Sequence, residues 1–160
     1  MTEVPVHPMV VHFPLVFAIL FPIVALAVLW VLRDSPQPRR LWAIPVLLAG
    51  ALAVSAFVAL RTGEAEEEKV EAVVSESVLH QHEEAAERFL WFTGALFGVA
   101  LFGLGRGRVG RVSRTFATVA SFGVALAGIQ VGAAGGELVY REGAANAYTT
   151  GATDIELHER

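Results

Sequence analysis

The sequence contains no cysteine. Without cysteine the chain cannot form disulfides, bind an iron–sulfur cluster through thiolates or attach a c-type haem covalently. Charged residues are also scarce, at 18% of the chain against a hydrophobic share of 54%, and the mean hydropathy is +0.55. Soluble globular domains carry about 25% charged residues. This composition excludes an ordinary soluble domain and favours a membrane protein.

The motifs of several enzyme classes are missing as well. The sequence has no phosphate-binding glycine loop, no His-Glu-x-x-His zinc motif and no pattern typical of a Ser–His–Asp triad. Its basic residues lie in short loops beside apolar runs, which argues against nucleic acid as a partner. The first apolar run is too long for a cleaved signal peptide and follows Glu3 rather than a basic region. We therefore expect a retained first span and a lipid bilayer as the main partner.

Four apolar stretches are long enough to cross a bilayer. From Val4 to Leu32, for example, there is no Asp, Glu, Lys or Arg. A helix rising ~1.5 Å per residue crosses the ~30 Å hydrocarbon core within such a stretch. The sequence predicts an all-α fold, a four-helix transmembrane bundle, in a domain of residues 1–143. The predicted spans are about 9–32, 41–60, 86–104 and 115–136, followed by a polar C-terminal tail, 144–160.

The most charged segment, residues 64–88, lies between spans two and three. Its apolar residues recur at helical spacing opposite a face of glutamates, and Gly63 stands just before it. A glycine after an apolar run is a common helix stop. We predict that Gly63 ends span two and that a short amphipathic surface helix follows.

The arginines indicate how the bundle is oriented. The loop Arg33–Arg40 holds three arginines and one aspartate, and the loop Gly105–Arg114 holds four arginines and no acid. The segment between spans two and three is acidic instead. By the positive-inside rule both basic loops lie in the cytoplasm and both termini lie outside it.

This topology gathers four of the five histidines at the outer face of the bundle: His7, His12, His80 and His82. Ionisable groups at membrane depth usually face the bundle interior and count as functional candidates. His80 and His82 are about 200° apart on a helix, so only one of them faces inward. His82 continues the stripe of Phe89 and Thr93, which favours His82. Of the first two histidines, His12 lies deeper and is the expected inward one.

Three interpretations of these histidines stay open. His12 and His82 could give two axial nitrogens to haem b, or His7, His12, His80 and His82 could contribute to a metal site. Alternatively, they are interfacial side chains that bond helix ends and lipid headgroups. Gly132 and Gly136 would let a flat cofactor approach span four, or would serve helix packing alone. Tyr140 is expected to hydrogen-bond His7 or His12, or else to anchor the chain at the interface.

Two separated stretches also carry a family resemblance. The stretches His7-Pro-Met-Val-Val-His-Phe-Pro14 and Gly135-Gly-Glu-Leu-Val-Tyr-Arg-Glu-Gly143 resemble signatures of a bacterial family of small four-span membrane proteins, the domain of unknown function 2231. The likeness covers about residues 7–143. It implies a protein of the bacterial inner membrane with no established reaction. The positions of this chain that match the family motif are His7, His12, Gly135, Gly136, Leu138, Tyr140 and Gly143.

The resemblance also bears on function. Some family members are associated with c-type cytochrome or Rieske domains, which implies redox proteins as partners. The leading hypothesis is therefore a redox-associated electron-transfer component that holds haem b. The alternative is a non-catalytic structural subunit or scaffold of a membrane complex, without a cofactor.

Overall fold

The computed structural model describes residues 5–33 and 38–148. Within these ranges the chain is helical and has no β-strand. The helices, numbered in chain order, are α1 His7–Val10, α2 His12–Leu32, α3 Pro38–Glu71, α4 Glu76–Phe102 and α5 Gly107–Tyr140. Val11, between α1 and α2, keeps helical backbone angles (φ −60°, ψ −21°), so these two helices follow each other almost without interruption.

Four stretches are long and apolar enough to span a membrane: His7–Leu32, Arg40–Glu71, Glu76–Phe102 and Gly107–Tyr140. Each long helix packs along two others, in the pairs α2–α3, α3–α4, α4–α5 and α5–α2. The predicted four-helix transmembrane bundle is thereby confirmed. Because successive helices run in opposite directions, the start of α1, the end of α3, the start of α4 and the end of α5 share one end of the bundle.

Buried side chains of all four long helices form the bundle core. Phe21, Trp42, Leu52 and Ala100 are fully buried, whereas large apolar side chains such as Trp91 point outward. Lipid tails are as apolar as this core, so close packing, rather than exclusion of water, holds the helices together. A buried hydrogen bond adds to it: the Trp42 indole Nε1–H donates to the Ala100 carbonyl at 2.9 Å.

Gly63 does not end the second span, contrary to our prediction. It lies inside α3, which continues to Glu71, and α4 already begins at Glu76. The charged residues 64–88 thus extend α3 and α4 beyond the apolar spans, and a separate surface helix is not confirmed. A glycine inside a helix costs only about 1 kcal/mol relative to alanine, which packing readily offsets.

The chain turns back onto the bundle after α5. Gly143 has a φ of +75°, a backbone conformation that glycine adopts without steric cost. The Ala144 N–H then donates to the Leu138 carbonyl at 3.0 Å, and Ala144 is buried with Leu138 and Leu79. The first residues of the predicted tail, 144–148, therefore pack on the helices, and residues 149–160 lie outside the described ranges. The domain boundary at 143 stays a prediction.

Candidate functional site

Two histidines from different helices meet at the end of the bundle where α1 begins. The ring centroids of His7 and His82 are 6.3 Å apart, and the ring planes are nearly perpendicular, at 84°. His82 is half-buried, and its Nδ1 is buried without a hydrogen-bond partner. His80 is exposed beside Glu83 and Glu84. The prediction that His82, rather than His80, faces the interior is confirmed, because the stripe through Phe89 and Thr93 is buried as expected.

The expectation that His12 faces inward is wrong. Its side chain is exposed, and its Nδ1 lies 3.4 Å from the carbonyl oxygen of Met9, one helical turn earlier. His7 faces the bundle instead, as the first residue of α1. His7 and His12 point about 140° apart around a helix, so turning one inward turns the other outward. Contacts with α3 decide which of the two turns inward.

The ring of His7 is oriented by a backbone carbonyl. Its Nδ1 lies 2.9 Å from the Ala59 oxygen and 3.3 Å from the Thr62 hydroxyl oxygen. A carbonyl oxygen can only accept, so Nδ1 carries the hydrogen and donates it. In the neutral ring Nε2 then keeps its lone pair. His7 thus presents one nitrogen that is free to bind a proton or a metal.

Each imidazole of the pair packs against a glycine of a neighbouring helix. A Cβ added at Gly63 would lie 3.1 Å from Cε1 of His7, and one at Gly135 would lie 3.2 Å from Cε1 of His82. Side chains larger than hydrogen would therefore press on the rings. Beside Gly132 and Gly136, which the sequence pattern favoured, a Cβ would meet open space. Of the glycines near the end of α5, the structure brings Gly135 to a histidine.

Glu66 and Tyr148, which the sequence did not single out, complete the site. One carboxylate oxygen of Glu66 accepts hydrogen bonds from the backbone N–H groups of Val6 at 2.7 Å and His7 at 3.2 Å. The other accepts the Tyr148 hydroxyl at 2.7 Å. Burial, followed by the hydrogen bond and the negative charge of Glu66, raises the pKa of Tyr148 to about 12. In the sequence, Glu66 looked like one of many solvated glutamates.

Tyr140 has a different position from the expected one. Its side chain is 89% exposed at the end of α5, so it does not fold over the imidazoles. Its alternative role as an anchor at the membrane interface stays a prediction, and Tyr148 is the tyrosine that bonds Glu66 beside His7.

The four histidines named as metal ligands do not come together. His12 and His80 are exposed, and only His7 and His82 approach each other. Among residues 5–33 and 38–148, no three His, Asp or Glu side chains converge in an arrangement that could hold a metal ion. The site is therefore a pair of imidazoles with supporting hydrogen bonds.

Fold and site together define a four-span integral membrane protein with a histidine pair at one end of its bundle. The chain belongs to the family described as "Predicted membrane protein (DUF2231)", whose family model matches residues 3–148. The match covers both stretches that carry the resemblance. Comparisons with curated proteins and with solved structures find no match.

Proposed function

We propose that His7 and His82 bind haem b and that the protein is a redox-associated component of the bacterial inner membrane. The observation that carries this proposal is the isolated pair of imidazoles, 6.3 Å apart between ring centroids. Two imidazoles that bind one metal ion from opposite sides have centroids roughly 6 Å apart, because metal–nitrogen bonds measure ~2 Å. His7 takes the place that the sequence pattern gave to His12.

The surroundings of both rings fit such a ligand pair. Nδ1 of His82 is buried and lacks a partner, which is costly for a polar group unless something binds it. Nδ1 of His7 donates to the Ala59 carbonyl at 2.9 Å, so its other nitrogen is the one left for a metal. Metal-binding histidines usually use their second nitrogen in this way, which fixes the ring orientation. The absence of side chains at Gly63 and Gly135 makes room for the two imidazole rings themselves.

The number of ligands favours haem over a bare metal ion. A porphyrin supplies four nitrogens, so two imidazoles complete the coordination of its iron. A bare zinc ion in a protein takes three or four side-chain ligands. Within the described residues only two histidines are available at this place. When bound, haem would supply one-electron transfer, and the protein would bind it, orient it and limit its contact with water.

Absorption spectroscopy tests this proposal. We expect purified protein, expressed with a haem precursor, to show a Soret band that shifts on reduction. His7→Ala and His82→Ala should each lower the bound haem tenfold or more, since a ligand matters at least as much as its supporting partners. His12→Ala and His80→Ala change the exposed histidines that stand near them in the sequence; they are matched controls and should keep the band.

Two outcomes would contradict the haem proposal. One is a folded protein that stays colourless even after haem is added, which would favour the non-catalytic subunit or scaffold. The other is a Soret band that survives loss of His82 but disappears with His12.

The orientation in the membrane is part of the same proposal. The arginines that follow spans one and three, several of them within the first turns of α3 and α5, favour a cytoplasmic position for this end of the bundle and an outside position for both termini. The histidine pair would then face the extracytoplasmic side, where c-type cytochrome or Rieske-type proteins could exchange electrons with it. That partnership rests on the family resemblance alone.

Reporter fusions test this orientation. Alkaline phosphatase, which is active only outside the cytoplasm, should be active when fused after Tyr140 and inactive when fused after Arg40. Western blots of both fusions control for expression. The reverse pattern would contradict this orientation and would put the histidine pair on the cytoplasmic side.

A further inference from the structure

His7 lies at the N-terminal start of the helix that α1 and α2 form together. α1 has four residues, none of them buried, and its N-cap residue Val6 makes no side-chain capping bond. As the first turn of the continuous helix α1–α2, it has N–H groups with no partner within the helix, and helix ends fray. The position of His7 therefore depends on contacts with other elements.

One stripe of α3 provides those contacts. Ala59, Gly63 and Glu66 follow each other at i, i+4 and i+7, so they lie on the same face of the helix. The carbonyl of Ala59 accepts from the His7 ring, Gly63 lies beside the ring, and Glu66 accepts from the His7 backbone N–H. The ring and the backbone of His7 are thus held from the same helix face.

The carboxylate of Glu66 acts as a cap supplied by another helix. The first N–H groups of a helix have no partner within it, and a negative charge near them is favourable. Glu66 Oε1 accepts two of these groups, from Val6 and His7, at 2.7 and 3.2 Å. Hydrogen bonds to a charged group are about twice as strong as neutral ones. Glu66 therefore holds the N-terminal end of the helix formed by α1 and α2 against α3.

Tyr148, which follows α5 in the chain, holds the carboxylate of Glu66 in place. The turn at Gly143 and the packing of Ala144 bring residues 144–148 back over the bundle end. Tyr148 then donates to Glu66 Oε2, the oxygen that α1 does not use. The segment that holds the carboxylate is continuous with α5, whose Gly135 contacts His82.

We infer that Glu66 and Tyr148 form a clasp that positions His7 opposite His82. Neither residue touches the free nitrogens of the pair, so both act through His7 and are positioning residues. The placement of His7 does not require a cofactor, whereas its consequence for haem rests on the proposed function. Opening the clasp should leave the fold intact and let the His7 ring leave its place against Gly63.

Chemical modification of histidine in the haem-free protein tests the clasp. Diethylpyrocarbonate, with modified sites read by mass spectrometry, should react slowly with His7 in the unmodified chain. In Glu66→Ala we expect His7 to react roughly tenfold faster or more, because bonds to a charged acceptor are lost. In Tyr148→Phe the increase should be smaller. His12 and His80, both exposed, serve as internal references whose rates stay unchanged.

Matched variants and a second readout complete the test. Glu68→Gln changes an exposed carboxylate of the same helix, and Tyr140→Phe changes an exposed tyrosine; neither should alter His7. Glu66→Gln keeps an acceptor oxygen and should restore part of the protection. If haem binds, the absorption spectrum of Glu66→Ala should show that part of the haem has lost one protein ligand.

The two proposals fail in distinguishable ways. Unchanged His7 reactivity in both Glu66→Ala and Tyr148→Phe overturns the clasp, whether or not haem binds. A loss of the helical circular dichroism signal in Glu66→Ala would show general unfolding and would also overturn it. A colourless protein in which Glu66→Ala still exposes His7 overturns the haem proposal and supports the clasp.

Discussion

Replacing Trp42 with alanine is expected to lower the free energy of unfolding by about 3 kcal/mol, the lower end of the range for buried Trp or Phe truncations. Trp42 is 0% exposed, and its Nε1–H donates to the Ala100 carbonyl at 2.9 Å. The substitution leaves a cavity between α3 and α4 and removes a buried hydrogen bond. Because lipid is as apolar as the core, the lost packing rather than the transfer from water dominates the cost.

Unfolding in mixed micelles of dodecyl maltoside and increasing dodecyl sulfate, followed by circular dichroism at 222 nm, measures this loss. Trp91→Ala is the matched control, because Trp91 is 78% exposed on α4. It should change the unfolding free energy by less than about 0.5 kcal/mol. Equal effects of both variants would show that Trp42 does not hold the bundle together as described.

Gly110→Ala is also expected to lower the free energy of unfolding strongly. A Cβ at Gly110 would overlap the Gly105 carbonyl oxygen and lie 2.7 Å from the Gly105 carbonyl carbon, and 3.0 Å from Nη2 of Arg114. The carbonyl group belongs to the backbone of the turn between α4 and α5, so it cannot rotate away as a side chain could. The turn itself must move, which we expect to cost about 2–3 kcal/mol, as for other overpacked sites.

Gly132→Ala, in the same helix, provides the control for this prediction. A Cβ there meets open space, and alanine favours a helix over glycine by up to ~1 kcal/mol. In detergent, Gly110→Ala should therefore lower the melting temperature, whereas Gly132→Ala should leave it unchanged or raise it. A Gly110→Ala variant as stable as Gly132→Ala would contradict the close approach of the turn to α5.

The histidine pair connects elements that are far apart in the sequence. His7 is held by α3, His82 packs on α5, and residues 144–148 join the two sides through Tyr148 and Glu66. A change in any one of these elements can therefore reach the free nitrogens of the pair.

The sequence by itself determined the four spans and the inward side of His82. Both properties are local: each segment must satisfy the bilayer by its own length and apolar content, and the phase of a helix follows from the spacing of residues along it. The apolar stripe through Phe89 and Thr93 therefore predicted the orientation of His82 correctly. The number of spans also implied that the start of the first helix and the end of the fourth share one end of the bundle, although the predicted helix end at Gly63 was wrong.

Only the tertiary structure decided between His7 and His12 and brought Glu66 and Tyr148 to the site. Spacing alone allows either histidine to face inward. His7 does so because its ring bonds the carbonyl of Ala59 in α3, 52 residues away in sequence. The bond between Tyr148 and Glu66 joins residues 82 positions apart. Gly63 continues α3 rather than ending it, and the His7 ring packs beside it. Such contacts depend on how separate helices are placed side by side, and no local pattern in one segment encodes the side chains of another.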